Sequence, residues 1–318
     1  MDHDGPVSAR YNLILVSNPQ VNERWDFELL ASYVQESASD IRAVVLDDER
    51  VSGRALPFRY DVPTLTFSPG PLRFFRPRRG RVFTGLPLRK SEEYDALSRA
   101  GVPVPRWALL TQASMPDLAA FGPYIVMKPD FSGRGADVRI VRRSRVQWRA
   151  PTTDLAKGCN GEQCDWIVQD FVYTGPYPVS YRVATLFGKP IWGLSIHADP
   201  TRRPLAQRYD FDAGGISIVS SGKGCSFSLM DDPEILALAR QAHAAFPDVP
   251  LIGVDVLRDA DTGRLCVLEV NAVGLTWHLT SPIGRKVQRE FGFDLDSQFN
   301  ARRTAAQVLI EQVRAHAS

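Results

Sequence analysis

The chain has 318 residues, enough for about two domains that each bury a core. Hydrophobic residues make up 44% of it and charged residues 23%, as in an ordinary soluble globular protein, and a net charge of +2 gives no bulk attraction to nucleic acid or membranes. No apolar run approaches the roughly 18 residues that span a bilayer, and the start of the chain lacks the basic and apolar segments of a signal peptide. We therefore expect a cytoplasmic protein whose four cysteines form no disulfide framework, with Cys159 and Cys164 as free thiols and Cys266 in the core.

The N-terminal region alternates strand patterns with a helical pattern. Apolar runs predict strands at Tyr11–Ser17, Ile41–Leu46 and Pro63–Phe67, and a helical stretch near Glu23–Glu36 separates the first two. Such alternation is typical of an open α/β sheet. We place the end of this N-terminal α/β domain near Leu88.

A Pro- and Gly-rich stretch, Pro69–Arg81, follows the third strand and predicts a loop. Its arginines, which are interleaved with Phe74 and Phe75, are Arg73, Arg76, Arg78, Arg79 and Arg81. Capture of an acidic substrate or of nucleic acid would use such a run, and a solvated loop would contain the same residues. The small net charge and the absence of a nucleic-acid-binding motif argue against nucleic acid.

The stretch PDFSGRGA, at 129–136, separates two predicted strands, Tyr124–Lys128 and Asp137–Val141. It is not a Walker loop, because the Gly-Lys-Ser/Thr signature is absent and no helix follows. A glycine loop with free backbone N–H groups can still fold over phosphates, and Lys128 just before it would add a point charge. An ordinary hairpin with a lysine at its mouth explains the same residues.

The other elements are predicted from similar signals. Arg89–Ala100 has the pattern of a helix that begins near Ser91 and ends at Gly101, with Lys90 at its beginning. The remaining predictions are a strand at Trp166–Val172, hairpin strands at Tyr181–Phe187 and Ile191–Ile196, a long polar loop at Asp199–Gly215, and helices at Asp232–Phe246, Ser281–Phe291 and Gln298–Ala315.

The segment Gly253–Asn271 predicts a hairpin, because two apolar runs flank a polar turn that ends in a glycine. Pairing that is symmetric about Thr262 would put one face in the core, with Val254 opposite Val270 and Val256 opposite Leu268.

The other face of this hairpin would gather oxygen atoms. Asp255 would lie opposite Glu269, and Gly253 opposite Asn271, and side chains two residues apart on a strand share a face. Mg²⁺ is bound in proteins by one or two carboxylates together with substrate phosphates. The pattern therefore predicts a metal site, although a solvated hairpin with a charged face would have the same sequence.

Together these stretches resemble the ATP-grasp ligases, in particular D-alanine–D-alanine ligases and the glutamate ligases that modify ribosomal proteins. The likeness covers roughly Leu88 to the C-terminus and rests on LRKSEEYDALSRAGVPVPRWALL, VMKPDFSGRGADVRIV, IVQDFV, SYRVATLFGKPI with QRYDFDAGG, and GVDVL…VLEVNAVGL. The resemblance implies an α/β and α+β architecture. An open α/β domain at 1–88 would precede an ATP-grasp domain at 89–318, which divides into a small lid near 107–172 and a larger metal-binding subdomain near 173–318.

The resemblance also implies roles for individual residues. ATP would be bound by Lys90, Lys128, Ser132, Gly133, Gly135, Gln169, Asp170, Phe171 and Val172. Arg182 and Arg208 take the place of catalytic arginines that clamp phosphate, and Asp255, Glu269 and Asn271 take the place of the metal ligands. Contacts with the acid or the acceptor substrate would come from Arg202, Arg203, Gly274, Thr276 and His278.

Three stretches depart from the family's pattern. Ser180 and Tyr181 stand where many members have an acidic residue for the ribose, so the ribose contact is unassigned. The hinge has Asp170 where Glu is common. Ala272–Gly274 is one residue shorter than the corresponding loop and lacks its proline, which predicts an unusual acceptor.

The implied activity is that of a carboxylate–amine ligase that uses ATP and Mg²⁺, or Mn²⁺, and forms an amide or peptide bond through an acyl phosphate, with ADP and phosphate released. Its partners would be a small carboxylic acid and an amine such as an amino acid, or a peptide or protein acceptor, without nucleic acid or membrane; a homodimer is compatible with the resemblance. The alternatives are a ligase with a thiol or hydroxyl acceptor, a phosphotransferase on the same scaffold, and a non-catalytic ATP-binding protein.

Overall fold

The computed structural model describes residues 9–50, 61–133, 135, 137–150, 164–201, 204–211 and 224–318. Three sheets organise these residues: four strands in the N-terminal region, four in the middle of the chain and five in the C-terminal half. A parallel N-terminal sheet followed by two antiparallel sheets confirms the predicted combination of α/β and α+β architecture.

The N-terminal sheet is parallel and has the order β2-β1-β3-β4. Its strands are β1 (Tyr11–Ser17), β2 (Ile41–Asp47), β3 (Thr64–Phe67) and β4 (Arg81–Phe83), and α1 (Arg24–Ser37) connects the first two. The apolar run of β1 is buried along nearly its whole length, as expected for an inner strand of a parallel sheet. The sequence does not predict the three-residue β4. This strand begins at Arg81, the last residue of the arginine-rich stretch Pro69–Arg81, which is called the basic loop below.

The middle sheet is formed by β5 (Trp107–Leu110), β6 (Tyr124–Pro129), β7 (Arg139–Arg142) and β8 (Trp166–Asp170), in the order β5-β8-β6-β7. A short helix, α2 (Lys90–Arg99), precedes it. All its pairings are antiparallel, and its apolar face buries Ile125, Met127, Trp166 and Val168. The glycine loop connects β6 with β7, as predicted.

The C-terminal sheet is antiparallel and has the order β11-β10-β9-β12-β13. Its strands are β9 (Val179–Leu186), β10 (Lys189–Ala198), β11 (Cys225–Leu229), β12 (Leu251–Arg258) and β13 (Leu265–Asn271). The helices are α3 (Pro233–Ala244), α4 (Pro282–Phe291), α5 (Leu295–Phe299) and α6 (Ala301–His316). The sequence does not predict the edge strand β11, because its Ser-rich CSFSL lacks a strong apolar alternation.

The two faces of this C-terminal sheet are covered by different elements. Val183, Ile252 and Val254 pack against α3 in one core. Trp192 and Leu194 belong to another core, which they share with the N-terminal sheet and α6. Arg182 pairs with Leu194 and therefore projects to this second face, since directly opposed residues of antiparallel strands lie on the same side.

Within the described residues, no helix is both long and apolar enough to cross a membrane. Cys266 is a free thiol in the part of the chain that the structure describes, and Cys159 lies outside that part.

Candidate active site

The β12–β13 hairpin has the predicted register at its open end. The pairs there are Gly253 with Asn271, Val254 with Val270 and Asp255 with Glu269. Beyond them the symmetric prediction is wrong, because a bulge pairs Val256 with Val267 instead of Leu268. The bulge brings Val267 into the core, where it is completely buried. The bulge lies between the turn and Asp255, and its extra residue, Leu268, brings Asp255 into register with Glu269.

Asp255 is the centre of a hydrogen-bonded cluster on this face. Strand β9 lies beside β12 and pairs Arg182 with Asp255. The Nε and Nη2 atoms of Arg182 donate to Oδ1 and Oδ2 of Asp255 at 2.5 and 2.6 Å. Nδ2 of Asn271 donates to the same carboxylate at 3.3 Å. Three neighbouring strands thus bring a predicted catalytic arginine and two predicted metal ligands into one hydrogen-bonded cluster.

Burial and mutual contact shift the pKa values of the two carboxyl groups. Burial raises the pKa of Asp255, the ion pair with Arg182 opposes this only in part, and Glu269 raises it further. Burial would also raise the pKa of Glu269, but Lys90, Lys128 and Arg182 outweigh that effect and lower it. Two carboxyl groups so close together hold a proton between them more readily than isolated ones do.

Lys128, at the end of β6, is buried and reaches the same cluster. Its Nζ donates to the hydroxyl of Tyr94 at 2.6 Å and to the carbonyl of Leu268 at 3.3 Å. Burial lowers the pKa of Lys128 to about 8, although Glu269 counteracts this. Tyr94 stacks on Trp107 and is missed by the sequence reasoning. The available signal was helical spacing, because Tyr94 lies four residues after Lys90 and shares its helix face.

Lys90 is the first residue of α2, and its ammonium is directed at the glycine loop. Its Nζ donates to the carbonyl of Ser132 at 2.7 Å. Asp130, the first residue after β6, accepts from the backbone N–H of Ser91 at 2.8 Å. The helix begins at Lys90, one residue before the predicted start at Ser91, and this carboxylate accepts a hydrogen bond from its first turn. A Cβ at Gly133 would meet open space, so the loop is not packed there.

Glu93 is a further buried group that the sequence analysis does not single out. Its carboxylate accepts from the backbone N–H of Val270 at 3.4 Å. Burial raises the pKa of Glu93 to about 8, although Lys90 lowers it, and Glu269 raises it further. Lys90, Lys128, Glu93 and Glu269 thus lie close enough to shift one another's pKa values.

The predicted adenine hinge is formed by the end of β8. The side chain of Gln169 is buried and accepts from the hydroxyl of Tyr94 at 2.8 Å, so it supports the lysine side of the site. Oδ1 of Asp170 accepts from the backbone N–H of Gly122 at 3.0 Å. Phe171 and Val172 follow the last residue of the strand, and their backbone is therefore not part of the ladder with β5 and β6.

Arg208 lies at the other end of the hairpin. It binds Asp259 at 2.5 Å and Asp261 at 2.7 Å, both in the hairpin turn. The turn begins four residues after Asp255, which is roughly 13 Å along a strand. The structure therefore does not bring Arg208 beside Arg182. Arg202 and Arg203 lie outside the described residues.

The three remaining predicted residues follow the hairpin, and two of them, Thr276 and His278, lie over the same sheet face. Gly274 has φ +82° and lies against the backbone of Pro69 and Gly70, in the N-terminal region. Thr276 lies against Gly253, where any Cβ would meet its hydroxyl. His278 is buried and stacks on Trp192, with ring centroids 5.0 Å apart and planes at 13°.

The oxygen atoms of this cluster fit a divalent cation that is also bound by phosphate. Asp255 and Glu269 are close enough for a shared hydrogen bond, a spacing at which two carboxylates need a proton or a cation between them. In the part of the chain that the structure describes, no three His, Cys, Asp or Glu side chains gather as a complete metal site. Two carboxylates and one amide therefore suit Mg²⁺, which keeps oxygens from water or substrate.

Comparison with known proteins agrees with this geometry. Residues 89–273 match the family described as the ATP-grasp domain. The chain therefore belongs to the ATP-grasp family, and the family predicted from its motifs is confirmed. An ATP-dependent ligase is the class of enzyme that this membership supports, as the sequence predicts. A sequence comparison with curated proteins gives no match.

Solved structures share the fold over nearly the whole chain. D-cycloserine synthetase DcsG is 20% identical, with a TM-score of 0.51 over 95% of this chain and 99% of that one. The ATP-grasp ligase PsnB, solved with its minimal precursor, is 15% identical, with a TM-score of 0.52 over 96% and 100%. D-alanine–D-alanine ligase from Bacillus anthracis is 13% identical, with a TM-score of 0.46 over 96% and 99%. The similarity to DcsG and PsnB confirms the ATP-grasp fold.

Proposed function

We propose that this chain is an ATP-dependent carboxylate–amine ligase that forms an amide or peptide bond through an acyl phosphate. The observation that carries the proposal is the contact of Arg182 with Asp255 on the face that also holds Glu269 and Asn271, with Lys128 reaching the same cluster from the middle sheet. A carboxylate oxygen of the acid would attack the γ-phosphorus of ATP, and ADP would leave. The amine nitrogen would then attack the acyl carbon, lose a proton and displace phosphate.

The lysines and the glycine loop account for the binding of the phosphates. Lys90 and Lys128 would contact phosphate oxygens, with the backbone of Ser132, Gly133 and Gly135 beside them. The adenine would lie against the backbone that follows Asp170, at Phe171 and Val172. Asp255, Glu269 and Asn271 would hold Mg²⁺, or Mn²⁺, which supplies positive charge to the phosphates when it is bound.

Arg182 is the arginine that we assign to the transferring phosphoryl group and the acyl phosphate. Opposing charge in a closed, preorganised site is the main contribution a protein makes to such a transfer. The pKa of Arg182 is raised by Asp255 against the effect of burial, so the guanidinium stays charged. Arg208, which binds Asp259 and Asp261, would serve at the rim of the site.

The middle sheet with its glycine loop would act as a lid over these groups. An acyl phosphate hydrolyses readily, so closure over the reacting atoms excludes water and protects the intermediate. The acid and the acceptor would lie on the side of Arg182 where Thr276 and His278 cover the sheet. PsnB was solved with a precursor peptide and DcsG makes D-cycloserine, which supports an amino acid or a peptide as acceptor.

Product analysis tests the proposal. The protein is incubated with ATP, Mg²⁺ and pools of carboxylic acids and amines, and ADP release and product masses are measured. The acid is labelled with ¹⁸O in its carboxylate, because an acyl phosphate transfers one labelled oxygen to phosphate when the amide forms. We expect labelled phosphate and a product smaller by one water than its two substrates. An ester or a thioester would indicate a hydroxyl or a thiol acceptor, and a stable phosphorylated product would indicate a phosphotransferase. ADP binding without turnover would indicate a non-catalytic protein.

A further inference from the structure

A buried carboxylate of the N-terminal domain holds the segment 274–281 over the active face of the C-terminal sheet. Asp26, in α1, has no exposed surface. Its Oδ2 accepts from Nε1 of Trp277 at 2.6 Å and from Oγ1 of Thr280 at 2.7 Å. Its Oδ1 accepts from Nε of Arg302 at 2.5 Å. The segment cannot shift without leaving a buried charge short of partners, which is costly.

The same segment places His278 close to Arg182. The imidazole stacks on Trp192, which pairs with Ala184, and Ala184 is two residues from Arg182 on β9. Trp192 and Arg182 therefore share a sheet face, with rows of side chains roughly 7 Å apart. The backbone of His278 is also fixed, because its carbonyl accepts from Nε2 of Gln288 at 3.0 Å.

The hydrogen bonds around the ring favour the tautomer with its proton on Nε2. Oγ of Ser281 accepts from the backbone N–H of Gly284 at 3.1 Å, at the beginning of α4, and lies 3.1 Å from Nδ1 of His278. The hydroxyl can therefore donate its own proton to Nδ1, which leaves the imidazole proton on Nε2.

The Nε2 atom of His278 has no protein partner within the described residues and is not among the buried polar atoms that lack one, so it keeps some accessible surface although the residue is buried. Burial and the nearby charge of Arg182 lower the pKa of His278 to about 3, so the ring is neutral.

We propose that Asp26 is a positioning residue that fixes the segment 274–281, so that His278 presents a neutral Nε2–H to a carboxylate or carbonyl oxygen of the acid or the acceptor. A neutral donor beside Arg182 orients such an oxygen without adding a second positive charge to the site. The inference rests on the proposed ligase function for the identity of the bound oxygen. The state of the ring and its dependence on Asp26 can be measured without any substrate.

The first test is NMR of the ¹⁵N-histidine-labelled protein without ligands. The chain has five histidines, and the signal of His278 is identified by its loss in His278→Gln. We expect the Nε2–H tautomer and no titration between pH 5 and 8. In Asp26→Asn, whose NH₂ group faces at least one of the donors in either orientation of the amide, we expect a mixture of tautomers and titration nearer pH 6.5. A parent ring with its proton on Nδ1, or one that titrates near pH 6.5, would overturn the inference whatever the reaction is.

The second test separates positioning from stability. We expect Asp26→Asn, the milder Trp277→Phe and His278→Gln to raise KM for the same substrate about tenfold, with an unchanged Kd for ADP and Mg²⁺. A rise in the KM for the acid would assign the bound oxygen to the acid, and a rise in the KM for the acceptor would assign it to the acceptor. The control is Thr185→Val, which removes a buried hydrogen bond to His243 on the opposite face of the sheet. Equal losses of Tm in Asp26→Asn and Thr185→Val, with parental KM values and His278 signals in both, would leave Asp26 only a structural role.

Discussion

Arg182, from the strand beside Asp255, donates a hydrogen bond to each of its carboxylate oxygens. It therefore neutralises the carboxylate that is expected to bind a cation. The two side chains are 30% and 10% exposed, so the pair is largely removed from water. Breaking a buried pair on one side leaves an uncompensated charge, whereas removing both partners does not. The contact therefore links the stability of the sheet to the chemistry of the site.

Arg182→Met is expected to lower the free energy of unfolding by about 3 kcal/mol, the lower end of the range for a broken buried pair, because Arg182 is partly exposed. Asp255→Asn in the same chain should recover most of this loss, since the buried charge is then gone. Both variants should lack ATP turnover. Urea unfolding and ADP release measure the two effects. If Arg182→Met alone is as stable as the parent, water compensates the unpaired charge of Asp255.

Glu269→Gln is expected to abolish ATP turnover while the fold is kept. The substitution removes one charge and keeps the size of the side chain, and the lysines around Glu269 lose the carboxylate that they share. Circular dichroism checks the fold, and ADP release at ordinary Mg²⁺ checks the activity. Glu234→Gln, at an exposed residue that binds Arg258, is the matched control. Turnover near that of the parent would remove Glu269 from the metal site.

The sequence predicts this hairpin well because its signals are local. Alternation sets the faces, and pairing symmetric about Thr262 gives the observed pairing of Asp255 with Glu269. The sequence does not predict the bulge at Leu268, since an inserted residue has no composition of its own. It also cannot decide between Arg182 and Arg208. Both fit the family pattern, and only the pairing of β9 with β12 shows which one meets Asp255.

The groups that the sequence reasoning misses are those whose role depends on packing between distant elements. Glu93 and Tyr94 look like ordinary helix residues, and they become part of the site only because α2 packs on β13 and β6. Asp26 is similar, since its donors lie about 250 residues later in the chain. Periodicity places such residues on the buried face of a helix, but it does not say what they meet.

Nucleotide affinity is expected to fall as the pH rises above about 8, because burial lowers the pKa of Lys128 to about 8. The unfolded chain keeps this proton to about pH 10.4. Between these values the unfolded chain binds more protons, so this lysine favours unfolding at lower pH and its cost disappears as the pH rises through that window. The pH dependence of nucleotide binding has the opposite sign, because phosphate is bound by the charged lysine and that charge is lost as the pH rises.

Titration calorimetry of ADP with Mg²⁺ between pH 7 and 10 measures this effect. Lys128→Arg is the control, because its guanidinium does not titrate in that range. We expect the parent to lose about tenfold in affinity and the variant to stay constant. Equal curves for both proteins would assign the titration to Glu93, whose pKa is also raised to about 8.

The glycine loop is expected to become protected when nucleotide binds. Lys90 donates to the carbonyl of Ser132 in this structure. Bound phosphates would instead accept hydrogen bonds from that ammonium and from the backbone N–H groups of the loop. Hydrogen exchange in 129–136 should therefore slow with ATP and Mg²⁺, and less with AMP, which lacks the β- and γ-phosphates. Equal exchange with and without ATP would count against a phosphate-binding loop.

The basic loop is held in place by a buried carboxylate. Asp48 accepts from the backbone N–H groups of Arg73, Phe74 and Phe75 at 2.8 to 3.0 Å. Close backbone contacts of Gly70 and Gly85 with Ala272 and Val273 place the loop beside the segment that follows the hairpin. The arginines within it are exposed and have no carboxylate partner within the described residues: Arg73, Arg76, Arg78 and Arg79.

Replacing Arg76, Arg78 and Arg79 with Ala is expected to raise KM for the acid substrate, and most at low salt. Steering by exposed charges is screened over a Debye length of about 10 Å at 0.1 M salt. The maximal rate should change little, because these residues do not reach the cluster around Arg182. The matched control replaces Arg240, Arg264 and Arg289, which are exposed elsewhere and carry the same total charge. If the two triple variants behave alike at every ionic strength, the basic loop is a solvated loop. The acid must then be held by other arginines, with Arg202, Arg203 and Arg208 as the next to replace.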